Sequence, residues 1–180
     1  MGKSGVESEV KLRVADAAEA RRLVLGLGAT LRRARHFEDN VIFDDAAGSL
    51  RTWGTVLRVR HTGADGVLTY KGPRELVEGV KSREEIETTL GDPSAAEGVL
   101  RALGYRPVFR YQKHREVYAH GEVEIVVDET PIGVFLEVEG AVAAVHETAA
   151  ALGFAQDDYI AESYAALWSA SGRTGDMTFP

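Results

Sequence analysis

Charged side chains recur on one face of nearly every strand-like segment of this chain, and that recurrence limits what it can fold into. From Glu7 to Val14 the residues alternate, with Glu7, Glu9, Lys11 and Arg13 on one face and Val10, Leu12 and Val14 on the other. This is the period of two that a strand imposes. The same parity sets Arg58 and Arg60 against Leu57 and Val59, Thr69 and Lys71 against Leu68 and Tyr70, and Arg83, Glu85 and Glu87 against Ile86. Lys113 and Arg115 share a face with Tyr111, Glu137 and Glu139 are opposed by Val138, and Asp128 lies on the face of Glu122, Glu124 and Val126. A half-buried antiparallel sheet with one wetted face explains any one such strand. It explains the whole set less well, because the helices also need a surface to cover.

If the sheet closes on itself, the apolar outer face receives the helices and the charged face lines a bore. Seven basic groups (Lys11, Arg58, Arg60, Lys71, Arg83, Lys113, Arg115) and seven acidic groups (Glu7, Glu9, Glu85, Glu87, Asp128, Glu137, Glu139) then converge. Such a bore cannot be dry, since unpaired buried charges cost several kcal/mol each or lose their charge. Arginine and lysine match phosphate oxygens. Carboxylates reach the same phosphates through Mg²⁺ or Mn²⁺. Both signs in one cavity therefore fit a metal-bridged polyphosphate better than either sign alone.

The remaining segments supply the frame. Asp16 caps a helix over Ala17–Leu27 that stops at Gly28. Strands are expected at 31–37 and 41–44, a hairpin at 56–61 and 66–71, a mobile loop over 72–82, and a strand at 83–88. Asp92 or Ser94 opens a helix that ends before Gly104; strands follow at 109–119, 122–130 and 135–139, then helices at 142–152 and 161–169. Trp53 reads as a packed loop anchor and Trp168 as core. The expected fold class is α+β, predominantly antiparallel β: an eight-stranded closed tunnel-like barrel with helices packed outside. Pattern alone also allows a sandwich. Residues 1–170 form a single domain in this reading, and 171–180 a flexible C-terminal tail.

Composition narrows the partners. With 21 basic against 28 acidic residues the net charge is −7, which argues against a general nucleic-acid binder. Cysteine is absent, removing disulfides, thiolate metal sites and cysteine nucleophiles. No apolar run approaches the ~20 residues of a membrane span, and Met1–Val10 has no signal-peptide core, so the expected location is the cytoplasm.

These blocks resemble the CYTH family, which includes class IV adenylyl cyclases, thiamine-triphosphatases and inorganic triphosphatases. Glu7-Ser8-Glu9-Val10-Lys11 matches its ExExK signature. Leu57-Arg58-Val59-Arg60, Leu68-Thr69-Tyr70-Lys71, Arg83-Glu84-Glu85-Ile86-Glu87, Lys113-His114-Arg115 and Phe135-Leu136-Glu137-Val138-Glu139 follow in the family's order. The resemblance implies a triphosphate tunnel of eight antiparallel strands. It assigns Lys11, Arg58, Arg60, Lys71, Arg83, Lys113 and Arg115 to phosphate binding, and Glu7, Glu9, Glu137 and Glu139 to Mg²⁺ or Mn²⁺. Glu85, Glu87 and Asp128 become supporting acids, and Lys11 either activates water or binds phosphate. A small triphosphate is the implied ligand, and a homodimer resembles some members.

Two departures bear on the activity. Ile42 stands where several members carry a tyrosine able to pair with the signature lysine, so a thiamine-triphosphatase dyad is missing. The His-Phe pair often found before ExExK in class IV cyclases is missing too. The favoured reading is metal-dependent hydrolysis of a small triphosphate; the alternatives are conversion of ATP to cAMP and pyrophosphate, and a non-catalytic polyphosphate-binding module.

Overall fold

The alternating segments become strands of one sheet that closes on itself. The computed structural model describes residues 3–180. In chain order its elements are β1 (Lys3–Val14), α1 (Ala17–Gly26), β2 (Thr30–Asp44), α2 (Ser49–Thr52), β3 (Val56–Thr62), β4 (Asp65–Lys71), β5 (Glu75–Val77), β6 (Val80–Leu90), α3 (Pro93–Ala102), β7 (Arg106–His120), β8 (Val123–Thr130), β9 (Gly133–Glu139), α4 (Val142–Ala151) and α5 (Tyr164–Ala170). The sheet runs β1-β9-β8-β7-β2-β3-β4-β6, and β1 also pairs with β6, which closes an eight-stranded barrel; β5 hangs on β6 as an extra strand. Every strand pair is antiparallel. At the seam, β1 places Lys11 across from Glu137 of β9, and Glu7 across from Arg83 of β6.

The barrel is apolar outside and charged inside. Val10, Leu12, Ile125, Val127, Leu136 and Val138 bury their outward side chains against Ala20 and Val24 of α1 and Val145 and Ala149 of α4. Val41, Phe43 and Val59 do the same against Leu100 of α3. Burial of each large aliphatic side chain contributes roughly 1.5–3 kcal/mol, and it leaves the inward face to the charged residues. The helices start where short side chains satisfy their first N–H groups: Asp16 accepts from Glu19 N at 2.8 Å, and Asp92 accepts from Ala95 N at 2.9 Å. Position 66 on β4 requires glycine, because a Cβ there would lie 2.4 Å from the Arg60 carbonyl oxygen.

Four sequence expectations change. The strands expected at 31–37 and 41–44 are one strand, β2, because Glu38 and Asn40 turn inward and continue pairing with β7 instead of breaking the ladder. The loop expected at 72–82 contains β5 and the start of β6; the turn narrows to Glu78-Gly79, where both residues adopt positive φ. Trp53 is 65% exposed rather than packed.

The flexible tail expected at 171–180 is a docked segment. β8 pairs with β7 only from His114 onward, which leaves the edge of β7 open near Tyr111. Met177 fills it, donating to Arg110 O and accepting from Gln112 N, both at 2.9 Å, and its side chain is fully buried. Ile160 likewise exchanges backbone hydrogen bonds with Lys11 on β1.

Candidate functional site

All seven predicted basic residues and the four predicted metal-binding glutamates line one cavity of about 110 Å³ inside the barrel. Each arrives there by strand parity, with its apolar neighbours turned to the helices. Among the described residues, eight cationic side chains (the seven and Lys81) line it with five carboxylates (Glu7, Glu9, Glu124, Glu137, Glu139), and Glu38, Glu85, Glu87 and Asp128 pair with those cations, so the two signs are close to balanced in the bore. Each of the three predicted supporting acids pairs with a lining cation: Glu85 with Lys71, Glu87 with Arg58 and Asp128 with Lys113.

The charges are ordered into linked groups. Lys11 Nζ sits between Glu9 Oε1 at 2.9 Å and Glu137 Oε1 at 3.1 Å, and Lys81 also bonds Glu9 Oε1. Lys71 Nζ lies 2.5 Å from Glu7 and 2.6 Å from Glu85. Asp128 accepts from Lys113 at 2.9 Å, from both faces of the Arg115 fork at 2.7 and 2.5 Å, and from the Tyr164 hydroxyl at 2.8 Å. Arg115 then reaches Glu137 at 2.6 Å. Arg58 donates to Tyr111 Oη and Thr69 Oγ1, both at 3.1 Å, and Glu87 accepts from Thr69 at 2.8 Å. Arg83 is tied to the rim instead, donating to the carbonyls of Gly72 at 2.9 Å and Gly54 at 3.2 Å.

These contacts fix protonation. Burial, the largest single effect, would raise the pKa of Glu9, but the ammonium groups of Lys11, Lys81 and Lys71 together outweigh it and hold the carboxyl far below its usual range. Burial would likewise lower Lys11, yet Glu137 and Glu9 push it above its ordinary value and keep it an ammonium. Lys81 goes the other way: burial depresses it despite Glu9, and Lys11 adds to the effect. Burial, together with the hydrogen bond that its protonated carboxyl donates to Glu7, pushes Glu85 up to about 8, so at neutral pH Glu85 holds a proton and Glu7 is the carboxylate that accepts it.

Sequence reasoning missed several members of the site. Lys81 fell inside the stretch read as a loop, although it shares the parity of Arg83 and Glu85. Glu38 and Asn40 fell at the assumed strand break. Tyr164 was read only as part of a terminal helix, and nothing in helical spacing says that this helix lies across the bore. There Ser163 caps α5, and the Tyr164 ring lies beneath Lys11 and Lys113, 5.3 and 5.4 Å from its centroid. Ile42 lines the cavity as parity requires, with no polar group to offer.

The family model described as "CYTH domain" matches residues 6–164, spanning all the inward-facing blocks. The chain belongs to the CYTH family. A Methanocaldococcus jannaschii protein named "Putative adenylate cyclase" is 27% identical over 173 residues, covering 90% of this chain and 98% of that one. The structure of a protein from Vibrio parahaemolyticus, titled a "putative adenylate cyclase", superposes with a TM-score of 0.80 at 21% identity, covering 93% of this chain and 99% of that one. A Hippeastrum protein titled a "Putative adenylyl cyclase" with a dominant triphosphatase activity superposes at 0.67 with 23% identity, covering 96% and 97%. At these identities the two structures establish the CYTH barrel. Among the described residues, no helix is long and apolar enough to cross a membrane.

The donor set fits a hard divalent cation. Glu7, Glu9, Glu137 and Glu139 offer only carboxylate oxygens from two adjacent strands, the class that Mg²⁺ and Mn²⁺ take. Two acid pairs, Glu9 with Glu137 and Glu7 with Glu85, are each bridged by an ammonium, a place where a cation is already required. No three acidic or histidine side chains among the described residues form a ready-made cage.

Proposed function

We propose that this chain is a divalent-metal-dependent phosphohydrolase acting on a small triphosphate, inorganic or carried on an organic group. The observation that carries the reading is a cavity inside the barrel lined by eight cationic side chains and five carboxylates. Its volume of about 110 Å³ exceeds the ~10–15 Å³ that one water needs but falls short of the ~300 Å³ at which pockets for organic ligands begin. The charged bore therefore suits the phosphate chain, and an organic group would extend beyond it. The Hippeastrum relative's dominant triphosphatase activity points the same way.

When bound, a Mg²⁺ or Mn²⁺ ion held by Glu7, Glu9, Glu137 and Glu139 would neutralise phosphate oxygens and acidify a water. The chain's own residues do the positioning. Arg58, Arg60, Lys113 and Arg115 present donors to the nonbridging oxygens, where charge is spread as the phosphoryl group transfers. Lys71 and Arg83 act toward one rim. Lys11, held as an ammonium by two carboxylates, serves better as a phosphate ligand than as a base. Glu85, Glu87 and Asp128 aim the cations that they bond.

A second reading, conversion of ATP to cAMP and pyrophosphate, is favoured by the name of the Methanocaldococcus relative. A product-resolved assay with Mg²⁺ or Mn²⁺, comparing inorganic triphosphate, ATP and thiamine triphosphate, separates the readings. Release of phosphate without cAMP is the expected result. Formation of cAMP with pyrophosphate would replace the hydrolase by the cyclase, and tight binding with neither product would leave a binding module.

A further inference from the structure

Across the barrel from β1, four strands away in either direction, β2 carries two polar side chains that the chemistry above does not use. Asn40 is fully buried, and neither its Oδ1 nor its Nδ2 has a hydrogen-bond partner among the described residues. Glu38 is fully buried too: its Oε1 bonds His36 Nε2 at 3.3 Å and accepts from Arg60 at 3.4 Å, while its Oε2 lies 3.7 Å from Lys113, beyond hydrogen-bond reach, and is also unpartnered. Asn40 sits directly across from Arg60 on β3 and from Tyr111 on β7, the residue that Arg58 bonds. Both arginines leave their Nε groups without a partner.

This set is not what stability alone would select. A buried donor or acceptor left unmade costs about 1–3 kcal/mol, and an apolar residue of similar shape at an inward strand position avoids that cost. The set is also mixed: two acceptors, from Glu38 and Asn40, and three donors, from Asn40, Arg58 and Arg60. An anion cannot satisfy the carboxylate, and a cation cannot satisfy the guanidinium groups. Water does both, and buried waters typically make about three such bonds.

We propose that Asn40 and Glu38 hold internal water against the Nε edges of Arg58 and Arg60, making Asn40 a positioning residue for these two phosphate-facing arginines. Anchored at Nε, each guanidinium is held in the wall of the cavity that both residues line, with its Nη groups on Tyr111 and Thr69 for Arg58 and on Glu38 and Glu87 for Arg60. The assignment rests on the triphosphate reading above, and it predicts an effect on phosphate binding that does not depend on the organic group.

Two measurements test it. A high-resolution crystal structure of the full chain should show ordered water within hydrogen-bond distance of both Asn40 and Glu38; an Asn40 amide bonded directly to protein there, or a dry recess, would overturn the proposal. Calorimetric titration with inorganic triphosphate, without divalent metal, should show Asn40→Val weakening binding about tenfold, as expected for the loss of one charge-assisted hydrogen bond. Asn40→Ser, which keeps a donor, an acceptor and room for water, should stay within about threefold of wild type. Thermal midpoints of the two variants should not fall below wild type, because no protein-protein hydrogen bond is removed and valine carries no buried polar group to satisfy. Unchanged affinity in Asn40→Val, or equal damage in both variants together with lowered midpoints, would sink the positioning role. A wild-type chain that binds no triphosphate would instead defeat the functional reading, while the crystallographic water would still stand as a separate result.

Discussion

Asp128 exposes no surface yet gathers Lys113, Arg115 and Tyr164 onto two oxygens, so its charge is what makes two buried cations tolerable. Asp128→Ala should cost about 3–5 kcal/mol in urea unfolding, the usual penalty for stranding a buried partner. A loss below about 1 kcal/mol would mean that solvent, not Asp128, balances these cations. Glu85 makes a prediction in pH. Its folded pKa of about 8 lies above its ordinary value of 4.5, so between those limits the folded state binds the extra proton. Stability from this group is complete below pH 4.5 and falls as pH rises toward 8. Glu85→Gln should flatten that part of the metal-free stability profile; an unchanged slope would show that the proton sits elsewhere. Residue by residue, strand parity made legible which side chains face the bore, because it dictates direction. It could not say which charges pair: Lys11 facing both Glu9 and Glu137 depends on neighbours brought from a distant strand.

At the scale of elements, the inverted barrel depends on its helices covering an apolar exterior. Leu12 is fully buried on the face of β1 that packs α1 and α4, and Leu12→Ala should cost about 2–5 kcal/mol by the lost transfer energy and the cavity left behind. Removal of residues 172–180 should do more than shorten a tail. It strips Met177 from the open edge of β7 and exposes Tyr111, so the truncated chain should lose thermal stability, with faster exchange of the Gln112 amide as the local signature. Retention of wild-type exchange there would contradict the docking. Most strands and helix caps were readable from alternation and from Asp16 and Asp92. The errors over strand bounds and the C-terminal segment have a common root. Glycine, proline and polar residues were read as breaks, but a charged bore accepts Glu38, Asn40 and Lys81 as inward strand positions, and an unpaired strand edge recruits a segment that has no period of its own.

For the whole molecule, an acidic protein concentrates eight cationic side chains around one cavity, each within reach of carboxylates from neighbouring strands. Burial keeps those charges less screened than surface pairs. The central claim is that the acidic and basic strand faces meet around one phosphate chain and its metal. The most direct measurement is a crystal structure of the full chain with inorganic triphosphate and Mn²⁺, located by anomalous scattering. The account predicts phosphates among Arg58, Arg60, Lys113 and Arg115, with the metal signal between them and Glu7, Glu9, Glu137 or Glu139. Triphosphate bound on the outer surface, with the bore holding only its own salt bridges, would contradict it.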